Sequence, residues 1–147
     1  MDPSKREALH LFIVLSRANE WVHAHADKEI RKYGLTRTEF SVLDLLYHKG
    51  RQPIQQIGSK VLMSSGNITY VVDKLEKKGY VTRKDCAEDR RLVYAELTEQ
   101  GREFIEDVFP RITDIIEEAV SGLSSEEKQI AGMLLKKLGK SAQAGFK

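Results

Sequence analysis

Glu88-Asp89-Arg90-Arg91 puts two carboxylates and two guanidinium groups into four consecutive positions, between segments rich in β-branched and aromatic residues. Arginine at the tip of a β-turn suits a narrow groove of negative potential, such as the minor groove of A·T-rich duplex DNA. Asp89 can pair with a neighbouring arginine and hold the turn in shape. A turn kept soluble by its charges has the same composition, so the tip leaves both readings open. A second cluster lies upstream: Ser64, Ser65, Gly66, Asn67, Thr69, Tyr70 and Lys74, with Lys77 further along. Small polar residues at a helix start let the backbone come close to a ligand, and the free amides there favour phosphate. Ser, Thr and Asn can contact base edges or phosphates, and Lys neutralises phosphates. Each of these residues alone reads equally well as a helix cap or a solvated side chain. As a set followed by a basic hairpin, they point to DNA.

The charge distribution agrees. The net charge is only +2, but residues 51–91 hold nine Lys/Arg against five acids, whereas residues 92–138 hold five against ten. The middle of the chain can face a polyanion and the C-terminal part cannot.

Other chemistry finds little support. There is no P-loop, no Gly-x-Ser-x-Gly, no paired nucleophile and base, and no metal-ligand spacing, so an enzyme is not expected. His23 and His25 stand two apart and point to nearly opposite sides of a helix, so they cannot share an ion. Cys86 is the single cysteine, which excludes an intrachain disulfide and a cysteine metal cluster. No cofactor is implied. No apolar run reaches ~18 residues, so no membrane span is expected. The start, Met1-Asp2-Pro3-Ser4-Lys5-Arg6-Glu7, lacks a signal-peptide apolar region, and the expected location is cytoplasmic.

The elements that must carry these clusters follow from periodicity. Residues 6–33 read as a long helix stopped by Gly34, with Leu9, Phe12 and Ile13 along one stripe and Leu11, Val14, Leu15, Ala18 and Val22 widening it. Thr36-Arg37-Thr38-Glu39 is a capping box for a helix carrying Phe40, Leu43, Leu46 and Tyr47 and ending at Gly50. Pro53 opens a short helix with Ile54, Ile57 and Val61. Ser64 or Ser65 caps a third, whose Ile68, Val71, Val72 and Leu75 form a buried stripe up to Gly79. The period then changes: residues 80–84 and 91–97 read as two strands around a polar turn at 87–90. Thr98 caps a helix over 98–121 with Pro110 inside it, where a kink is expected, and Gly122 at its end. Ser124-Ser125-Glu126-Glu127 caps a last helix through Leu138, and the tail from Gly139 reads as frayed. The plan is a mainly α fold with a small β-hairpin wing, a winged helix-turn-helix, in a single domain over 1–147. Both terminal segments carry more apolar surface than one chain can hide.

The run from Ser65 through Val81, Ser-Gly-Asn-Ile-Thr-Tyr-Val-Val-Asp-Lys-Leu-Glu-Lys-Lys-Gly-Tyr-Val, resembles the recognition helix and its exit in the MarR family. Asp89-Arg90-Arg91, followed by Leu97-Thr98-Glu99-Gln100-Gly101, resembles that family's wing and next helix, and the family plan spans residues 6–140. The resemblance implies a homodimer joined through helices in 6–34 and 98–140, with 35–97 as the DNA-binding lobe and a palindromic duplex as partner. By the same resemblance Arg91 enters the minor groove, Arg90 meets a phosphate and Asp89 braces the wing. It also implies a regulator, a repressor released by a small phenolic or quinone-type effector, and sequence similarity over residues 15–58 points to the quinone-responsive branch. The family's pocket corresponds here to His10, Val14, Arg17, Phe40, Leu43, Asp44 and Tyr47, each equally readable as core or interface. Two alternatives stay open: thiol-redox control through Cys86, and a winged-helix module that binds protein rather than DNA.

Overall fold

The computed structural model describes residues 1–61 and 67–147. Helix α1 runs from Pro3 to Lys32. It starts three residues earlier than the apolar stripe predicts because Asp2 and Pro3 are themselves a start signal. The Asp2 carboxylate accepts from the Ser4 amide at 3.2 Å, and Pro3 occupies the first turn, where no amide donor is needed. Helix α2 spans Arg37–Lys49 behind the expected capping box. Thr36 Oγ1 accepts from the Glu39 amide at 3.2 Å, and Glu39 Oε1 accepts from the Thr36 amide at 3.0 Å.

Helix α3 is a single turn, Ile54–Ile57, so Val61 lies beyond it rather than within it. Helix α4, Ile68–Lys77, is capped by Asn67, whose side chain accepts from the Thr69 amide at 2.8 Å. The cap therefore falls on Asn67 instead of a serine. Ser64, Ser65 and Gly66 lie outside the described residues. Helices α5, Glu99–Ala119, and α6, Ser125–Ala144, complete the chain. Helix α5 passes through the exposed Pro110 as one continuous helix and stops before Gly122. Helix α6 begins at the expected capping box of Ser124 and Glu127 and continues to Ala144, so the segment after Gly139 is helical rather than frayed.

The strands are β1, Gln52–Pro53, β2, Val81–Asp85, and β3, Val93–Leu97, in the order β1-β3-β2, all antiparallel. The hairpin register runs from Val81 opposite Leu97 to Asp85 opposite Val93. Strand β1 was not expected, because two residues carry no period. Its edge position suits Pro53, which has no amide to give a further strand.

One hydrophobic cluster holds these pieces together. It draws Leu43 and Leu46 from α2, Val72 and Leu75 from α4, Val81 and Ala95 from the sheet, Ile105, Val108 and Ile112 from α5, and Ala26 and Ile30 from α1. The rest of α1 contributes nothing to it: Ala26 is the first buried residue of the chain, and α6 buries none. Phe12, Trp21, Met133 and Leu134 all stand exposed. Among the described residues no helix is long and apolar enough to cross a membrane.

Candidate nucleic-acid interface

Helix α4 divides cleanly into two faces. Val71, Val72 and Leu75 point into the core, while Thr69 and Tyr70 near its start and Lys74 one turn further on are exposed. Lys74 Nζ lies 5.2 Å from the centre of the Tyr70 ring, a cation–π contact that gathers charge and aromatic surface into one patch. Asn67 spends its side-chain oxygen on the cap but remains exposed.

The wing tip is built around Asp89. Its Oδ1 accepts from Arg91 Nε at 3.1 Å and from the Arg91 amide at 3.0 Å, and its Oδ2 accepts from Arg91 Nη2 at 3.1 Å. The Arg91 side chain and then its amide hold the Asp89 carboxyl below its ordinary pKa. Arg91 is nonetheless 90% exposed. Arg90 is also exposed and lies beside Asp85, Cys86 and Ala87. The tip is tied inward by Gln55 of α3, whose Nε2 donates to the Arg91 carbonyl at 3.1 Å.

Helix α4 and the wing are joined directly. Arg83, on β2, donates from Nη2 to Asp73 Oδ1 and from Nη1 to Glu76 Oε1, both at 2.6 Å. Burial works against the charge on Arg83, but the carboxylates of Asp73 and Glu76 outweigh it and raise its pKa above the ordinary value. At the far end of α4, Lys78 Nζ donates to the Gly34 carbonyl at 2.7 Å and to the buried Glu39 Oε2 at 2.8 Å. The chain turns from α4 into β2 through Gly79, whose φ of +85° favours glycine. Thr98 closes the other side: its amide donates to the Tyr80 carbonyl at 3.0 Å and its hydroxyl to the Gly79 carbonyl at 2.6 Å.

The chain that carries this helix and hairpin is similar to known proteins in sequence and in fold. The model of the MarR family matches residues 35–93. The chain is 50% identical to the HTH-type transcriptional regulator MhqR of Bacillus subtilis (strain 168), over 93% of this chain and 94% of that protein. The chain belongs to the MarR family. Its fold is the winged helix of MarR-family structures. Sco3205 of Streptomyces coelicolor, a MarR family regulator solved in complex with DNA, matches with a TM-score of 0.82 at 22% identity, over 97% of this chain and 93% of that one. Bordetella bronchiseptica BpsR, whose DNA binding is regulated by 6-hydroxynicotinic acid, matches with a TM-score of 0.77 at 25% identity, over 86% and 90%. MhqR and Sco3205 are both transcriptional regulators.

In this MarR-family chain the residues expected to line an effector pocket do not converge within one copy. Leu43 is fully buried and Phe40 nearly so, both in the core. His10, Val14 and Arg17 are exposed on the free half of α1. Asp44 lines an open groove of about 290 Å³ with Ser41, Leu45, His48 and, from α5, Phe109. Its Oδ1 is buried without a hydrogen bond. His48 Nδ1 lies 2.8 Å away but also sits 3.0 Å from the Asp44 carbonyl. Tyr47, next to it, reaches Glu106 at 3.5 Å. Among the described residues no group of His, Cys, Asp and Glu is placed to hold a metal ion.

Several residues of the site escaped sequence reasoning. Arg83 and Glu76 link the helix to the wing, and Gln55 bonds the wing tip, without belonging to either polar cluster. The signal for Arg83 was present: Asp73 and Glu76 are three apart and so share a helix face. It becomes meaningful only once the hairpin folds back onto α4.

Proposed function

We propose that this MarR-family chain is a DNA-binding transcriptional repressor that acts as a homodimer and is released by a small aromatic effector. The observation that carries the reading is the Asp89–Arg91 fork: an arginine held in shape yet 90% exposed, at the tip of a hairpin anchored to α4. Arg91 would enter the minor groove, Arg90 would meet a phosphate, and Asn67, Thr69, Tyr70 and Lys74 would face the major groove. The structure of Sco3205 on DNA supports this assignment by fold.

The homodimer is supported by surface area. A compact chain of 16.8 kDa exposes about 7,600 Å², whereas this one exposes 10,599 Å². The surplus is of the size an extensive obligate interface removes from each chain. It is concentrated where the apolar faces of α1 and α6 lack a partner. Terminal helices 6–34 and 98–140 would join two copies and leave each lobe 35–97 for one half-site. A twofold dimer calls for a palindromic duplex with half-sites ~34–36 Å apart.

Effector control is supported by BpsR and by the groove beside Asp44 and Phe109. A second copy would bring the exposed His10, Val14 and Arg17 of one α1 toward the α2 residues of the other. A phenol or quinone is the effector class we favour. A gel shift across a salt series tests the DNA reading. Binding to a palindromic duplex should fall steeply with salt, because each phosphate contact contributes about −0.9 to the log–log slope. Salt-independent binding, or none, would contradict it.

A further inference from the structure

We propose that Arg83 is a positioning residue for DNA recognition: by bridging Asp73 and Glu76 it fixes the angle between α4 and the wing that carries Arg91. The inference rests on the DNA-binding reading above and goes beyond it, since Arg83 itself need not touch DNA. Its guanidinium sends one nitrogen to each carboxylate, at 2.6 Å in both cases. Two attachments from a planar group resist rotation as well as separation, which one ammonium cannot do. Strand β2 is paired with β3 along its whole length, so a restraint on Arg83 acts on the hairpin as a unit. Only residues 78–80 separate α4 from β2, and the backbone hydrogen bonds that hold them are to Thr98 and to the end of α4, so Arg83 is the side chain that ties the body of the hairpin to the outer face of the helix.

The energetics place the effect on recognition and not on folding. Asp73 and Glu76 have side chains 48% and 42% exposed. Ion pairs at such exposure add little stability. Yet two groove-reading elements must reach the same duplex together, and a small change in their angle misplaces one when the other docks. Arg83 has a second consequence that must be separated from this. It neutralises two carboxylates on a helix that faces phosphates, so its loss also adds repulsion.

The test uses the full-length protein, a duplex that the wild-type protein selects from a randomised pool, and a shuffled duplex of the same composition. Arg83→Met should weaken binding to the selected duplex roughly tenfold more than to the shuffled one, with melting close to wild type. The triple variant Arg83→Met, Asp73→Asn, Glu76→Gln removes the repulsion along with the clamp and should keep the loss of discrimination. Full recovery of discrimination in the triple variant would show that Arg83 acts through charge alone, and overturn the proposal. Unchanged discrimination in Arg83→Met would do the same. Should Arg83→Met fail to fold, Arg83→Lys preserves the charge but cannot hold both carboxylates. It should also lose discrimination, and wild-type behaviour would refute the clamp. A wild-type protein that selects no duplex at all would overturn the DNA-binding reading itself, and this inference with it.

Discussion

Asp89 holds Arg91 at three points, through the backbone amide at 3.0 Å and through Nε and Nη2 at 3.1 Å each. The arginine is thereby ordered before it meets a ligand, while its outer edge stays open to solvent. A long side chain fixed in advance loses less conformational entropy on binding. The wing of this protein thus presents a shaped charge.

Arg91→Ala should weaken binding to a selected duplex by roughly 1–3 kcal/mol and leave the melting temperature unchanged, because the side chain is 90% exposed. Fluorescence anisotropy with a labelled duplex measures the first and a thermal melt the second. Unchanged affinity with an intact fold would refute the wing assignment.

Val72→Asp should abolish folding. Val72 is completely buried on the core face of α4, and a carboxylate there has neither water nor a partner. Circular dichroism is sufficient to check it. A normal melting curve would mean that the two faces of α4 are reversed.

Gly101→Ala should destabilise the protein by about 1–3 kcal/mol, as overpacking does. A methyl group at Gly101 would overlap the carbonyl oxygen of Tyr80. That oxygen accepts from the Thr98 amide, so it is not free to move away. Urea denaturation reads the change as a lower midpoint, and an unaltered midpoint would contradict the close approach.

Asp44→Asn should raise the melting temperature at pH 7. Burial raises the Asp44 pKa, and the nearby His48 only partly opposes this. The native state therefore binds this proton more tightly than the unfolded chain, whose value is about 3.9. The stabilising contribution is complete below that value and is lost as pH rises through the higher folded pKa. At pH 7 the ionised carboxylate weakens the fold and an amide does not. The gain should fade toward pH 4 in melts across a pH series. No gain at neutral pH would show that Asp44 is adequately solvated.

Much of this architecture was legible in the sequence because its signals are local. Thr36 and Glu39, Ser124 and Glu127, and Thr98 each mark a helix start by hydrogen bonds within three residues. The faces of α4 follow from the spacing of Val71, Val72 and Leu75. Non-local features were not legible. Strand β1 exists only because Gln52 and Pro53 meet Ala95 and Tyr94, more than forty residues away. Arg83 reads as one more basic residue until β2 folds against α4. The expected pocket residues do not meet within one copy for a related reason: the α1 members lie on the half of the helix that buries no residue in its own chain.

In the proposed complex two copies, joined through α1 and α6, offer a pair of α4 helices and Arg91 wings to one duplex. Sedimentation equilibrium of the purified protein, alone and with a duplex it has selected, tests this most directly. A dimer without DNA, and two chains per duplex with it, is the predicted result. A stable monomer that binds no double-stranded sequence at low ionic strength would contradict it.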